Sequence, residues 1–115
     1  MLPAALFVSD ELHPKEIELQ DGSKHVFKFR EFSAAEYRRV QKLATSADED
    51  ERDRHRSLLV ALTLVNDDGS LALTEEQAER IRPAVRDRMY VAALEANGYW
   101  GKVEPPGAPN GSGTS

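Results

Sequence analysis

The run 58–65, Leu-Leu-Val-Ala-Leu-Thr-Leu-Val, limits what this chain can fold into more than any other feature. It is eight residues long, with Thr63 as its one polar side chain. It follows a charged segment that opens Asp48-Glu49-Asp50-Glu51 and continues through Arg52, Arg54 and Arg56. The four acidic residues place negative charge at the positive end of a helix dipole, so the spacing predicts a helix from 48 to 65. Leu58, Leu62 and Val65 form one stripe of it, while Leu59, Val60 and Leu64 cover other faces. A helix this apolar around its circumference is either the centre of a core or the seat of a partner. It is too short to cross a bilayer, which needs about twenty apolar residues, and no membrane association is expected.

The rest of the chain sets the scale of that core. Its 115 residues suit a single domain, and a net charge of −5 with 30% charged residues suits a soluble one. An acidic pI near 5.2 argues against nucleic-acid binding driven by phosphate neutralisation. With no cysteine there is no disulfide framework and no thiolate chemistry. The N-terminus lacks a basic segment and reaches Asp10 early, which is unlike a secretory signal.

Residues 14–30 read as a β-hairpin around Asp21-Gly22-Ser23. Ile17 and Leu19 alternate with polar residues in one strand, as Phe27 and Phe29 do in the other. Parity decides the loop. A two-residue turn would pair Leu19 with Lys24 and mix the faces, whereas an odd loop of three or five residues puts all four apolar side chains together. The odd loop also sets Glu16 and Glu18 beside Lys28 and Arg30 on the opposite face.

Helices follow. Ser33-Ala34-Ala35-Glu36 is a capping box, with Phe32 and Tyr37 placed to close a hydrophobic staple; losing the Ser33 cap costs about 1 kcal/mol. Thr45-Ser46-Ala47 ends that first helix, and Asn66-Asp67-Asp68-Gly69 is a turn after the second. Leu71-Ala72-Leu73 is a short extended piece, and Thr74-Glu75-Glu76-Gln77 is a second capping box opening a helix through Ala78 and Ile81. Pro83 starts the last helix, whose stripe is Val85, Met89, Ala92, Ala93 and Ala96 and whose stop is Gly98. The expected class is α+β, mostly α: an N-terminal hairpin followed by about four helices in one domain, residues 15–98. Residues 1–14 are expected to be loosely attached. Residues 104–115 hold three of the six prolines and three of the seven glycines, so 99–115 read as a flexible tail.

Chemistry is scarce. His13, His25 and His55 show no metal-ligand spacing, and neither a metal nor a cofactor is expected. The segment from Asn66 fails as a calcium loop because its sixth and twelfth positions hold Leu71 and Gln77. No nucleophile elbow or phosphate loop is present, so the chain reads as a non-enzyme. The candidate partner-binding residues are the surplus apolar positions Leu59, Val60, Leu64, Tyr90 and Leu94, together with Tyr99 and Trp100 beyond the last helix. Each could equally be core, or an aromatic tuck under that helix.

The order of elements carries a resemblance. A strand pair leads into Phe32-Ser33-Ala34-Ala35-Glu36-Tyr37, and an Arg-rich helix runs into Val65-Asn66-Asp67-Asp68-Gly69. Then come Leu71-Ala72-Leu73-Thr74-Glu75-Glu76 and a final Leu94-Glu95-Ala96-Asn97-Gly98. Over residues 15–98 this resembles the tail assembly chaperones of long-tailed bacteriophages. The resemblance implies a homo-oligomer in the host cytoplasm that binds the tape measure protein, keeps it soluble, helps recruit tail tube subunits and is absent from the mature virion. In many members a frameshift makes a longer product, with which the Gly/Pro/Ser-rich tail is compatible. Two other readings compete: a structural minor tail or connector protein, and a small acidic phage inhibitor of a host enzyme.

Overall fold

The computed structural model describes residues 2–99. Strands β1 (Leu12–Glu18) and β2 (Lys24–Arg30) form an antiparallel hairpin, joined on the far side of β2 by a two-residue strand, β3 (Leu64–Val65). Helices α1 (Ala34–Ala44), α2 (Glu49–Thr63), α3 (Glu75–Ala78) and α4 (Pro83–Ala96) complete the domain, which is mostly α, as expected. A 3-10 turn, Ala4–Leu6, precedes β1. The expected tail falls on residues 100–115, outside the described residues, except for Tyr99.

The hairpin takes the odd register. Ile17 pairs with His25 and Lys15 with Phe27, so Ile17, Leu19, Phe27 and Phe29 share the inner face. Glu18 stands opposite Lys24 and Glu16 opposite Val26, not beside Lys28 and Arg30 as expected; those two bases face Pro14 and Leu12 and pair with Asp67 and Glu36. Strand β1 also begins at Leu12, two residues earlier than the alternation suggests, because Leu12 pairs with Arg30.

One element differs in kind. Helix α2 stops at Thr63, and the last two residues of the apolar run leave it to pair with β2, Leu64 with Phe29 and Val65 with Lys28. The Thr63 hydroxyl donates to the Leu59 carbonyl at 2.7 Å, satisfying a group of the final turn locally. Val65 then bridges to Leu71, so the extended piece after the turn closes a miniature hairpin.

The caps are where the sequence places them. Ser33 and Glu36 form the reciprocal box on α1, Thr74 and Gln77 the one on α3, and Asp48 accepts from two amides at the start of α2. Phe32 and Tyr37 stack with centroids 5.1 Å apart, the staple of α1. Helix α4 ends in a Schellman motif. Gly98 (φ +86°) donates to the Glu95 carbonyl and Tyr99 to the Leu94 carbonyl, each at 3.0 Å. Helix α2 lies against α1, α3 and α4, while α4 also packs on the hairpin. The core is therefore the apolar half of α2, the inner face of the sheet and the small-residue stripe of α4.

Candidate functional site

The seven candidate partner-binding residues separate into three groups. Leu59, Val60, Leu64 and Leu94 are buried. They offer little or no side-chain surface: Leu59 and Val60 lie on α2, which three helices flank, Leu64 turns into the sheet, and Leu94 of α4 belongs to the same core. Tyr90 is half-buried, with the Arg56 guanidinium 5.9 Å from its ring centre and the His55 ring edge-on at 5.3 Å; burial raises its phenol above the usual range. Tyr99 is 40% exposed and leans on Tyr37 and Phe32, with centroids 5.6 and 6.3 Å away. It is an aromatic tuck with an open face. Trp100 lies outside the described residues.

Exposed apolar side chains are found elsewhere. Leu2, Leu6, Phe7 and Val8 line the segment before β1, Phe7 being 60% exposed. Val26 stands on the outer face of the sheet, Leu71 past the second turn, and Val91 on α4. Two shallow grooves flank α4. One, of about 340 Å³, runs between the hairpin turn (Leu19 to Asp21) and Ile81, Arg82 and Val85. The other, of about 430 Å³, lies between β1 and the face of α4 carrying Arg88, Val91 and Glu95. Arg88 donates to the Glu18 carbonyl at 2.6 Å and Lys15 meets Glu95 at 3.8 Å, so two charged side chains reach across the second groove.

A buried polar network was not foreseen from the sequence. Arg86, its side chain only 8% exposed, lies between α2 and α4 and forks onto both carboxylate oxygens of Asp53 at 3.2 Å. It also donates to the Ser57 hydroxyl and to Asp87, at 3.3 Å each, and comes within 3.7 Å of Glu79. Ser57 in turn donates to Glu79. Burial works against the Arg86 charge, but Asp53 and Asp87 outweigh it and its pKa rises; the same bond lowers that of Asp53. Ser57 is fully buried and Arg86 nearly so, while the carboxylates reach the surface, and the network locks α2, α3 and α4 together; one donor, the buried Arg86 Nε, has no partner among the described residues. A basic residue at a helical position looks solvated in sequence; here its burial is decided by partners 29 and 33 residues away.

Asn97 is the second lock. Its Oδ1 accepts from the Phe32 amide at 2.8 Å, while its Nδ2 donates to the Ala93 carbonyl at 2.9 Å and the Arg30 carbonyl at 3.4 Å. The side chain thus ties the end of α4 to the β2–α1 junction, which gives a structural reason for an asparagine ahead of the Gly98 stop.

One trio has the makings of a hydrolase in name only. Asp21, Ser23 and His25 lie in a row, Ser23 Oγ 2.6 Å from Asp21 and 3.1 Å from His25 Nε2. The serine gives its single proton to the aspartate, so the imidazole can only donate to the hydroxyl and cannot act as its base. Asp21 is held below the usual carboxylate range first of all by that serine.

A different cluster does gather metal-ligating groups. Glu11, His13 and Glu31 have donor atoms within 4.8 Å of one another. His13 Nε2 is 3.0 Å from Glu31, whose two oxygens also accept from the amide and hydroxyl of Ser9 at 2.9 and 3.0 Å. The Ser9 amide contributes most to holding the Glu31 carboxyl low. Linear spacing misses this group because strand pairing, not proximity along the chain, brings residue 31 to residues 11 and 13.

No protein-family model and no curated protein matches the sequence. Among solved structures, the fold is similar to the one described as "Structure of bacteriophage HK97 tail assembly chaperone", with a TM-score of 0.52 and 20% identity. The likeness covers 74% of this chain and 85% of that one.

Proposed function

We propose that this chain is a phage tail assembly chaperone: a non-enzymatic homo-oligomer of the host cytoplasm that binds the tape measure protein, keeps it soluble, helps recruit tail tube subunits and leaves before the virion is complete. The observation that carries the reading is the similarity of fold to the HK97 tail assembly chaperone over 74% of this chain. The chemistry agrees with it. The Arg86 cluster ties helices to one another and the Asp21 cluster ties its own turn, while apolar side chains stand exposed on an acidic domain. A chaperone for a long apolar client needs that combination: charge for solubility and weak contacts multiplied by repetition.

With Leu59, Val60, Leu64 and Leu94 in the core, the contact surface passes to Leu6, Phe7 and Val8 before β1, with Tyr99 at the end of α4. The test is co-expression of this chain with the tape measure protein of the same phage. The expected result is a soluble tape measure protein that co-purifies with the chain. Paired substitutions Leu6→Ser and Phe7→Ser should abolish capture without changing the circular dichroism spectrum. A tape measure protein left insoluble would refute the proposal.

The outer edge of β1, which no strand covers among the described residues and of which Arg88 holds only the Glu18 carbonyl, favours one second reading, a structural tail or connector protein that adds its hairpin to a neighbour's sheet. Finding the chain at stoichiometric levels in purified particles would select it.

A further inference from the structure

We propose that Glu11, His13 and Glu31 form a binding site for one divalent transition-metal ion of zinc's ligand preference, clipping the open end of the β1–β2 hairpin. The ladder runs out at Leu12 opposite Arg30, and one step further the same register sets Glu11 opposite Glu31. Two carboxylates facing each other across a strand pair repel unless a cation lies between them. Among the described residues neither forms a salt bridge with a lysine or arginine. Lys28 is taken by Asp67 and Arg30 by Glu36, which leaves His13 as the partner of Glu31.

His13 is two residues from Glu11 along an extended chain, so the imidazole and both carboxylates fall on one side of the hairpin. Zinc takes nitrogen and oxygen donors at about 2.0–2.2 Å in a tetrahedron, which places neighbouring donors roughly 3–3.5 Å apart. The His13–Glu31 edge already has that spacing at 3.0 Å, and all three donors lie within 4.8 Å. Glu11 is exposed, so a change of rotamer brings its carboxylate the remaining distance. Ser9 supplies the outer support, since its amide and hydroxyl fix the Glu31 carboxylate from behind. On binding, neutral Nε2 of His13 gives its lone pair to the ion, and water fills the fourth position. One imidazole with two carboxylates suits zinc better than magnesium or calcium, which prefer oxygen alone.

An ordinary His13–Glu31 ion pair is the rival explanation, and it needs no Glu11. Calorimetric titration of the untagged full-length chain with zinc chloride separates the two. One zinc per chain is expected, with magnesium chloride giving no heat under the same conditions. His13→Ala should abolish binding, and Glu11→Gln should weaken it about tenfold or more. Glu11 makes no side-chain bond among the described residues, so Glu11→Gln keeps the fold intact and the test clean even if His13→Ala unfolds. Saturating zinc should also raise the melting temperature of the wild-type chain more than that of Glu11→Gln. The proposal fails if the wild type takes up no zinc, or if uptake is unchanged in Glu11→Gln; uptake unchanged in His13→Ala as well would place the ion at another histidine such as His25 or His55.

Discussion

The chain makes the same turn twice, in two different settings. At Leu19-Gln20-Asp21-Gly22-Ser23 the Leu19 amide donates to the Ser23 carbonyl at 2.8 Å and Gly22 to the Leu19 carbonyl at 3.0 Å. At Asn66-Asp67-Asp68-Gly69-Ser70 the corresponding distances are 2.8 and 2.9 Å. In both, the serine hydroxyl bonds the aspartate at 2.6 Å and the glycine is left-handed, φ +85° and +87°. Each is a three-residue loop closed by a glycine bulge. The strands are what differ. The first turn joins two seven-residue strands, whereas the second follows a two-residue strand and precedes a single bridge. Turn geometry is thus a local property of Asp-Gly-Ser, and what the turn connects is decided by burial on either side.

The residue before each turn gives the largest expected difference. Val65 precedes the second turn and is buried, whereas Glu18 precedes the first and is exposed. Val65→Ala should cost about 2 kcal/mol, from lost apolar burial and the space left behind, while Glu18→Ala should stay within about 0.5 kcal/mol. Urea denaturation of both variants measures the gap. Equal costs would mean that β3 is not a working part of the core.

The glycines should then behave alike. A Cβ at Gly22 or Gly69 meets nothing within 4 Å, so only the left-handed backbone opposes a side chain. Gly22→Ala and Gly69→Ala should each cost about 1–2 kcal/mol. Thermal melts that agree to within about 0.5 kcal/mol would support two independent local units. A much larger loss at Gly69 would show that the second turn holds the end of α2 in place.

The same contrast explains which parts of the fold can be read from the sequence. Both turns, all three side-chain caps and the hairpin parity can be, because each rests on residues no more than a few positions apart. Strand β3 cannot. Two extended residues have no room to show a period of two, and Leu64 and Val65 continue the helical pattern of Leu58 and Leu62 until β2 claims them. The surplus apolar residues were ambiguous for a related reason. Helical spacing shows that Leu59, Val60 and Leu94 have apolar character on extra faces, but only the positions of α1, α3 and the hairpin decide that those faces are filled. Arg86 and the Glu11–His13–Glu31 cluster depend on pairings across 33 and 18 residues, and no local pattern marks them.

The smallest effect lies in the electrostatics of the two aspartates. Asp21 and Asp68 are each held below the ordinary carboxylate range, first by the hydroxyl of the following serine and then by its amide. A lowered folded pKa favours the folded state while the group is ionised. That contribution is complete above the ordinary aspartate value and disappears as the pH falls through the lowered one. Carboxyl NMR titration should therefore find both aspartates below the ordinary value, and Ser23→Ala and Ser70→Ala should raise their own neighbour by similar amounts. The turns part company in one respect: His25 lies close enough to Asp21 to add a weak attraction, and among the described residues no charged neighbour does the same for Asp68. His25→Gln should thus raise the Asp21 value by less than Ser23→Ala does and leave Asp68 unmoved. If His25→Gln shifts both, the aspartates sense the net charge of the domain more than their own turns.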